Sequence, residues 1–409
     1  MRRQVPGLAD DARRGQTVAL SRLYYRSICF HVARPAYVPR ILVYMMTVAS
    51  RNAVHVVPAT PLTLTIRSTQ TGRAFSCARL ARRQIRAPIS RSYAYGVASN
   101  ARPTTAVAAA GGPPSIKAFS PAKINLFLRV VRRREDGFHD LASLFHVIDL
   151  GDDMDIELLP SSATEDELSC NWADVPLDAS NLVIKAANLF RTKTGRNDHF
   201  RVHLEKRVPH GAGMGGGSGN AATMLWAANT LTGEPASNQD LLEWSGDIGS
   251  DISVFFSEGV AYCTGRGEIV ENVDPPIPLD TPILLVKPPV GLSTPQIFKA
   301  LDLDRRSTAD ANDIMDELWI GRWRDTSNYV NDLEQPAFDC LPELKALKDR
   351  LRDEGDFDAV FMTGSGSTIV GIGSDVAPAF LREEPQYFVA PARLITRSGP
   401  GTWYEKTKY

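Results

Sequence analysis

The chain has 409 residues, 43% of them hydrophobic and 23% charged, with 30 Gly and 27 Pro. These proportions exclude a wholly disordered or collagen-like polymer, and at about 150 residues per domain the length predicts two to three structural units. The net charge of −1 conceals a split: residues 1–113 carry seventeen Arg, no Lys, no Glu and only Asp10 and Asp11 as acids, a balance of +15 that leaves −16 on the remainder.

The basic leader, 1–113, is rich in Arg, Ser, Thr and Ala and has no clear periodicity. That composition predicts an organelle transit peptide without ordered elements. A nucleic-acid-binding arm is the competing reading, disfavoured because the Arg residues are scattered rather than clustered with aromatics. Met46-Thr47-Val48-Ala49-Ser50 would serve as a second start, and Ile41–Ala49 would serve as a short signal-type segment; these alternatives stay open. No run reaches about 18 apolar residues, so no membrane span is predicted. Cys29, Cys77, Cys170, Cys263 and Cys340 form no CxxC pair, which argues against a disulfide framework or a zinc site.

Gly111-Gly112-Pro113-Pro114 breaks the chain before the body. Ile116–Phe119 and Ile124–Val131 read as two strands around a turn at Ser120-Pro121. Leu182, Val183, Ala186 and Phe190 have helical spacing within Asn181–Thr194, ended by Gly195. Phe200–Glu205 alternates like a half-buried strand. A glycine-rich loop follows, then a helix over Asn220–Leu231 stopped by Gly233. Ser237 and Asp240 form a capping box for the next helix. Val260–Thr264 and Glu268–Val273 flank Gly265-Arg266-Gly267 as a hairpin. Pro275-Pro276-Ile277-Pro278 predicts a boundary between domains over 114–275 and 276–409. Beyond it come a short strand at Ile283–Val286 and an amphipathic helix over Leu341–Glu354, with Leu344, Leu347 and Leu351 on one face. Strands at Ala359–Met362 and Thr368–Gly373 surround Gly364-Ser365-Gly366. The fold class read from these elements is α+β in two domains.

The strongest chemical signal is Pro209-His210-Gly211-Ala212-Gly213-Met214-Gly215-Gly216-Gly217-Ser218-Gly219. Its glycines let backbone approach a ligand, and it opens into a helix whose first N–H groups attract an anion. A phosphate cradle follows from that physics, with a flexible linker as the bland alternative. It is not a Walker loop, because no Lys-Ser/Thr pair follows the glycines. Lys123, isolated among apolar residues, either snorkels from a strand or serves a site. Asp251, in Ile248-Gly249-Ser250-Asp251-Ile252, either caps a helix or serves a site.

Together these residues resemble the GHMP-type small-molecule kinases, and within them the branch acting on 4-diphosphocytidyl-2-C-methyl-D-erythritol. The likeness rests on Pro121-Ala122-Lys123-Ile124-Asn125-Leu126, on Asp136-Gly137-Phe138-His139 with Leu144-Phe145, on Gly213–Ala222 and on Thr363-Gly364-Ser365-Gly366-Ser367. It runs from about Ser115 to the C-terminus. Tyr262–Ile269 and the tail to Tyr409 resemble the plant and algal, plastid-targeted branch. The resemblance implies a two-domain GHMP kinase fold, with a ribosomal-protein-like ATP-binding domain and a ferredoxin-like α+β C-terminal domain. It implies ATP and Mg²⁺ as cofactors, the ion carried by ATP with Ser218 nearby and no other metal. Asp251 would take the proton of the acceptor hydroxyl, and Lys123 would favour its charged form. Residues 209–219 would hold ATP. His139 would read the cytosine edge, Phe138 and Phe298 would stack on its faces, and Asn125 and Thr294 would contact the substrate. The partners implied are small molecules only, neither nucleic acid nor membrane, for a monomer or weak homodimer in the plastid stroma.

Departures from the family pattern are Gly219 where a second Ser is usual, His210 for Thr or Met, Ser253 for Pro, and Phe138 for a bacterial Tyr. Gly219 and Phe138 are expected to remove a hydroxyl each. The competing functions are another GHMP kinase, for homoserine or phosphomevalonate, and a non-catalytic nucleotide-binding protein. The presence of both Lys123 and Asp251 argues against the latter.

Overall fold

The computed structural model describes residues 112–399 and 401–407 and, as backbone alone, three short strands within 54–76. The chain divides into two compact units, 1–99 and 100–409. In the first, β1 (Val54–Ala59), β2 (Thr63–Ser68) and β3 (Ala74–Ser76) form an antiparallel meander. Val54-His55-Val56-Val57 and Thr63-Leu64-Thr65-Ile66 are rich in β-branched residues, which favour extended backbone. The alternatives at Met46 and Ile41–Ala49 lie outside the described residues.

The second unit begins with β4 (Ser115–Arg133) and β5 (His139–Leu158), a long antiparallel hairpin. The expected turn at Ser120-Pro121 is absent. The strand runs through, and its register shifts between Pro121 and Ala122. Proline lacks a ladder donor, so it is accommodated at this irregularity rather than ending the strand. From Ala142 to Ile148 every residue of β5 is buried, so apolar alternation is lost there. The six-stranded sheet is completed by β6 (Glu167–Cys170), β7 (Phe200–Glu205), β8 (Val260–Gly265) and β9 (Ile269–Asn272), in the order β6-β7-β5-β8-β9 with β4 against β5.

Three helices pack on this sheet: α1 (Leu182–Thr194), α2 (Gly216–Leu231) and α3 (Asn238–Ser245). Their ends follow local chemistry. Asn181 caps α1 by accepting from the Val183 N–H, and Gly195 closes it at φ 68°. Ser237 and Asp240 make the predicted capping box on α3.

The second sheet is antiparallel, in the order β11-β12-β10-β13, from β10 (Pro282–Lys287), β11 (Ala359–Met362), β12 (Ile369–Ile372) and β13 (Phe388–Arg393). Between β10 and β11 lie α4 (Thr294–Ala300), α5 (Ala311–Glu317), α6 (Glu334–Cys340) and α7 (Pro342–Glu354); α8 (Phe380–Glu383) precedes β13. Leu344, Leu347 and Leu351 of α7 pack with Leu284, Val360 and Met362 on one face of the sheet. Ile283, Phe361 and Ile372 on the other face share a core with Ile124, Leu126 and Leu144 of the first sheet. After β13 the chain returns to the first sheet: Ile395 donates its N–H to the Val147 carbonyl, and Trp403 stacks on Trp226 of α2 at 5.1 Å.

The fold also buries a titratable group in this shared region. His146 of β5 lies opposite Ile124 and Val260. Its Nδ1 meets the Val147 carbonyl at 2.9 Å, and its Nε2 has no partner among the described residues. Burial pushes its pKa down from 6.5 to about 4. Between those values the unfolded chain binds the proton and the folded chain does not, so stability falls as pH drops from 6.5 to about 4. The full loss is about 3 kcal/mol. His146→Leu should remove that component. Urea-unfolding curves should then show a smaller loss of stability between neutral and acidic pH than in wild type; identical acid sensitivity would count against the assignment.

Candidate active site

The glycine loop runs from the end of β7 into α2. The helix starts at Gly216, four residues earlier than expected, with Gly215 as its N-cap at φ 66°. No side chain caps it, so the N–H groups of its first turn stay available to an anion. The loop docks on the second sheet: Ser367 and Thr368 donate backbone N–H groups to Gly211 and Ala212. Gly213 is required here, because its φ is 73° and an added Cβ would stand 2.3 Å from the Thr363 carbonyl oxygen.

Gly219 has a different task from the one expected. An added Cβ there would meet the Pro121 carbonyl oxygen at 2.3 Å. The residue is packed against β4 and lies outside the cavity lined by Pro209–Ser218. The absence of a second serine therefore takes no side chain from the cavity; it lets helix and strand approach. Ser253, the other departure near the acid, donates its buried hydroxyl to the Ser250 carbonyl at 3.1 Å. His210 lines the cavity beside the edge of Trp172, with its Nε2 3.6 Å from Asp174.

β4 delivers Lys123 beneath this loop. Its ammonium donates to Asn125 Oδ1 at 2.7 Å and to the Gly213 carbonyl at 2.9 Å, and lies 3.4 Å from Asp251 Oδ2. The Phe145 ring lies 5.0 Å below it. Lys123 is thus no snorkelling surface lysine; it is buried, and burial pulls its basicity down against the opposing pull of Asp251. The amide of Asn125, expected at the substrate, is engaged by Lys123 and by the Ser143 hydroxyl. It lines the cavity as a residue that positions Lys123.

Asp251 caps no helix: the adjacent 3₁₀ turn, Ser253–Phe256, begins from Ile252 without a side-chain cap. Its side chain is 42% exposed and borders two cavities. The first, of about 350 Å³, holds Lys123, the Val208–Ser218 loop and Ser365. The second, of about 760 Å³, holds Phe138, His139, Phe298 and Arg266. Thr294 and Phe298, like Asp251, line both. The Thr294 and Ser365 hydroxyls meet at 2.7 Å.

In the second cavity Phe298 stacks on His139, with centroids 5.2 Å apart and planes 25° apart. Phe298 therefore lies against the histidine, where a base sandwiched with Phe138 was expected. Phe138 is 54% exposed, and its ring faces the Arg266 guanidinium at 5.3 Å. Burial and the nearby Arg133 charge hold His139 below the usual histidine range, favouring the neutral ring.

Lys206 is a site residue that the motifs do not mark. It continues the inward phase of Phe200, Val202 and Leu204, which is the signal the sequence offers for it. Its ammonium reaches into the first cavity wall and pairs with buried Asp152 and with Asn220. Asp152 in turn accepts the Arg207 and Val208 N–H groups at 2.7 and 2.9 Å, fixing the entry to the glycine loop.

Comparison with known proteins matches residues 181–259 to the family described as GHMP kinases N terminal domain, and residues 289–388 to GHMP kinases C terminal. The chain is 54% identical over 301 residues to the chloroplastic 4-diphosphocytidyl-2-C-methyl-D-erythritol kinase of Oryza sativa subsp. japonica, covering 72% of this chain and 74% of the relative. The enzyme of the same name from Protochlamydia amoebophila is 46% identical over 275 residues, 67% of this chain and 90% of the relative. A crystal structure of 4-(cytidine 5'-diphospho)-2C-methyl-D-erythritol kinase superposes with a TM-score of 0.55 at 30% identity, covering 68% of this chain and 99% of that one.

Proposed function

The chain belongs to the GHMP kinases and, within them, to the 4-diphosphocytidyl-2-C-methyl-D-erythritol kinase family, and we propose that its two adjoining cavities divide the reaction between ATP and acceptor. The enzyme phosphorylates the 2-hydroxyl of 4-diphosphocytidyl-2-C-methyl-D-erythritol with ATP, in the non-mevalonate route to isoprenoids. The observation that carries the division of labour is the position of Asp251, on the border of both cavities and 3.4 Å from the buried Lys123 ammonium.

Phosphoryl transfer needs mainly positioning and charge stabilisation. The backbone of Gly211–Ser218 and the start of α2 hold the ATP phosphates. Asp251 accepts the proton of the attacking hydroxyl, and Lys123 stabilises the charge that develops there. His139, Phe138 and Phe298 receive the cytosine base, and Thr294 stands between base and acceptor. Among the described residues no three His, Cys, Asp or Glu side chains form a metal cage. Among the described residues lining the first cavity Asp251 is the one carboxylate, beside the Ser218 hydroxyl, a set that fits Mg²⁺ carried mainly on phosphates. Bound there, the ion would neutralise phosphate charge.

His139→Ala tests the assignment of the base. Loss of the edge contact should raise KM for the cytidyl substrate by about 5- to 150-fold, the equivalent of about 1–3 kcal/mol, and leave KM for ATP unchanged. Equal rises for both substrates, or none, would remove His139 from the site. Parallel assays with homoserine and phosphomevalonate should show no turnover.

The plant relatives are named chloroplastic, and the acid-poor leader of this chain suits import into a plastid, whose stroma we take as its compartment. Residues 114–275, which supply the six-stranded sheet, serve as the ATP-binding domain, and 276–409 as the C-terminal domain. A chain starting near Pro114 should keep full activity, and residues 1–113 fused to a reporter should enter plastids. Failure of the shortened chain to fold would make the leader structural.

A further inference from the structure

The wall of the second cavity carries three cations from three separate elements: Arg133 at the end of β4, Arg266 in the β8–β9 hairpin and Lys299 in α4. Among the described residues that line it, Asp251 is the only acid. Arg266 is held in place, with Glu268 Oε1 3.3 Å from its Nε and the Phe138 ring on its face. Arg133 and Lys299 make no ion pair among the described residues, although both stand on an acidic body. Unpaired cations gathered around a concave, partly apolar wall concentrate positive potential where a ligand enters. The cavity is lined by the rings assigned above to the base, Phe138, His139 and Phe298, and by Asp251, assigned above to the proton. A substrate that reaches both must lay its connecting group along the same wall.

The geometry points to Arg133, Arg266 and Lys299 as the residues that bind the diphosphate of a nucleoside-diphosphate substrate in this cavity, a refinement that rests on the cytidyl reading of the site. The guanidinium groups offer planar pairs of N–H donors suited to phosphate oxygens, and Lys299 supplies a mobile point charge. Recognition then has two independent components: the rings select the base, and the cations select the number of phosphates.

The test is competitive inhibition of the full-length enzyme by cytidine, CMP and CDP, and by the matching uracil series. Arg133→Gln, Arg266→Gln and Lys299→Met are compared singly and together, with Arg133→Lys and Arg266→Lys as charge-keeping controls. Wild type should bind CDP more tightly than CMP, and CMP more tightly than cytidine. Each neutral variant should lower the CDP-to-cytidine preference by about fivefold, and the triple variant by about a hundredfold. Cytidine should weaken far less than CDP, with any loss confined to the Arg133 and Arg266 variants that adjoin His139 and Phe138; KM for ATP should not change, and the Lys controls should keep most of the preference. A triple variant that retains the CDP preference, or that weakens cytidine as much as CDP, overturns the proposal. Cytosine-over-uracil preference is a separate axis: its absence in wild type would sink the cytidyl reading, while the phosphate increments would still judge the cations.

Discussion

Replacing Asp251 by Asn should lower kcat by about 10²- to 10⁴-fold, the range for a positioned general base. KM for ATP and the unfolding midpoint should stay close to wild type. The reasons are geometric. The carboxylate is 42% exposed and faces the junction of the two cavities. It caps no helix, so the amide replaces it without leaving a structural donor unmet. Lys123 keeps its bonds to Asn125 and to the Gly213 carbonyl, so the glycine loop keeps its anchor. What is lost is the ability to accept a proton. A variant with kcat within about threefold of wild type would remove Asp251 from that role.

Lys123→Met should damage more than the chemical step. The expected fall in kcat is about 10²- to 10³-fold, as for loss of one preorganised charge-stabilising donor. KM for ATP should rise as well, because the same ammonium ties β4 to the Gly213 carbonyl of the glycine loop proposed to hold the phosphates. Stability should fall by about 1–3 kcal/mol, since Asn125 Oδ1 and the Gly213 oxygen lose a buried donor. The larger penalty for breaking a fully buried pair does not apply, because water reaches Asp251. The pair of variants separates two roles: Asp251→Asn should change kcat alone, and Lys123→Met should change kcat, KM for ATP and the urea midpoint together. Unchanged ATP affinity in Lys123→Met would show that the loop does not depend on this anchor.

Elements bounded by their own residues are legible in the amino-acid sequence. Asn181 and Gly195 mark α1, Ser237 and Asp240 open α3, and Gly265-Arg266-Gly267 turns the β8–β9 hairpin. The three inward leucines of α7 follow one helical face. Elements that depend on distant packing differ from what local pattern predicts. Pro121 suggests a break in β4 because the shift that accommodates it is set by pairing with β5. The pattern starts α2 at Asn220 because glycines disfavour helix. Its real first turn holds Gly216, Gly217 and Gly219, and the last is needed where the helix meets the Pro121 carbonyl. The leader meander is hidden because scattered Arg dominates the composition of that segment.

By itself the sequence determined the chemical inventory: a glycine cradle before a helix, one isolated Lys, one acid in an apolar segment, and a Gly-Phe-His turn. Those signals are local, carried by side-chain type and by the backbone freedom of neighbouring residues. The tertiary structure alone decided which of them meet. It placed Asp251 between two cavities, turned the Asn125 amide onto Lys123, laid Phe298 on His139, and brought Lys206 under the loop. Such meetings depend on sheet register and on the packing of two sheets across one core, which no short stretch of chain encodes.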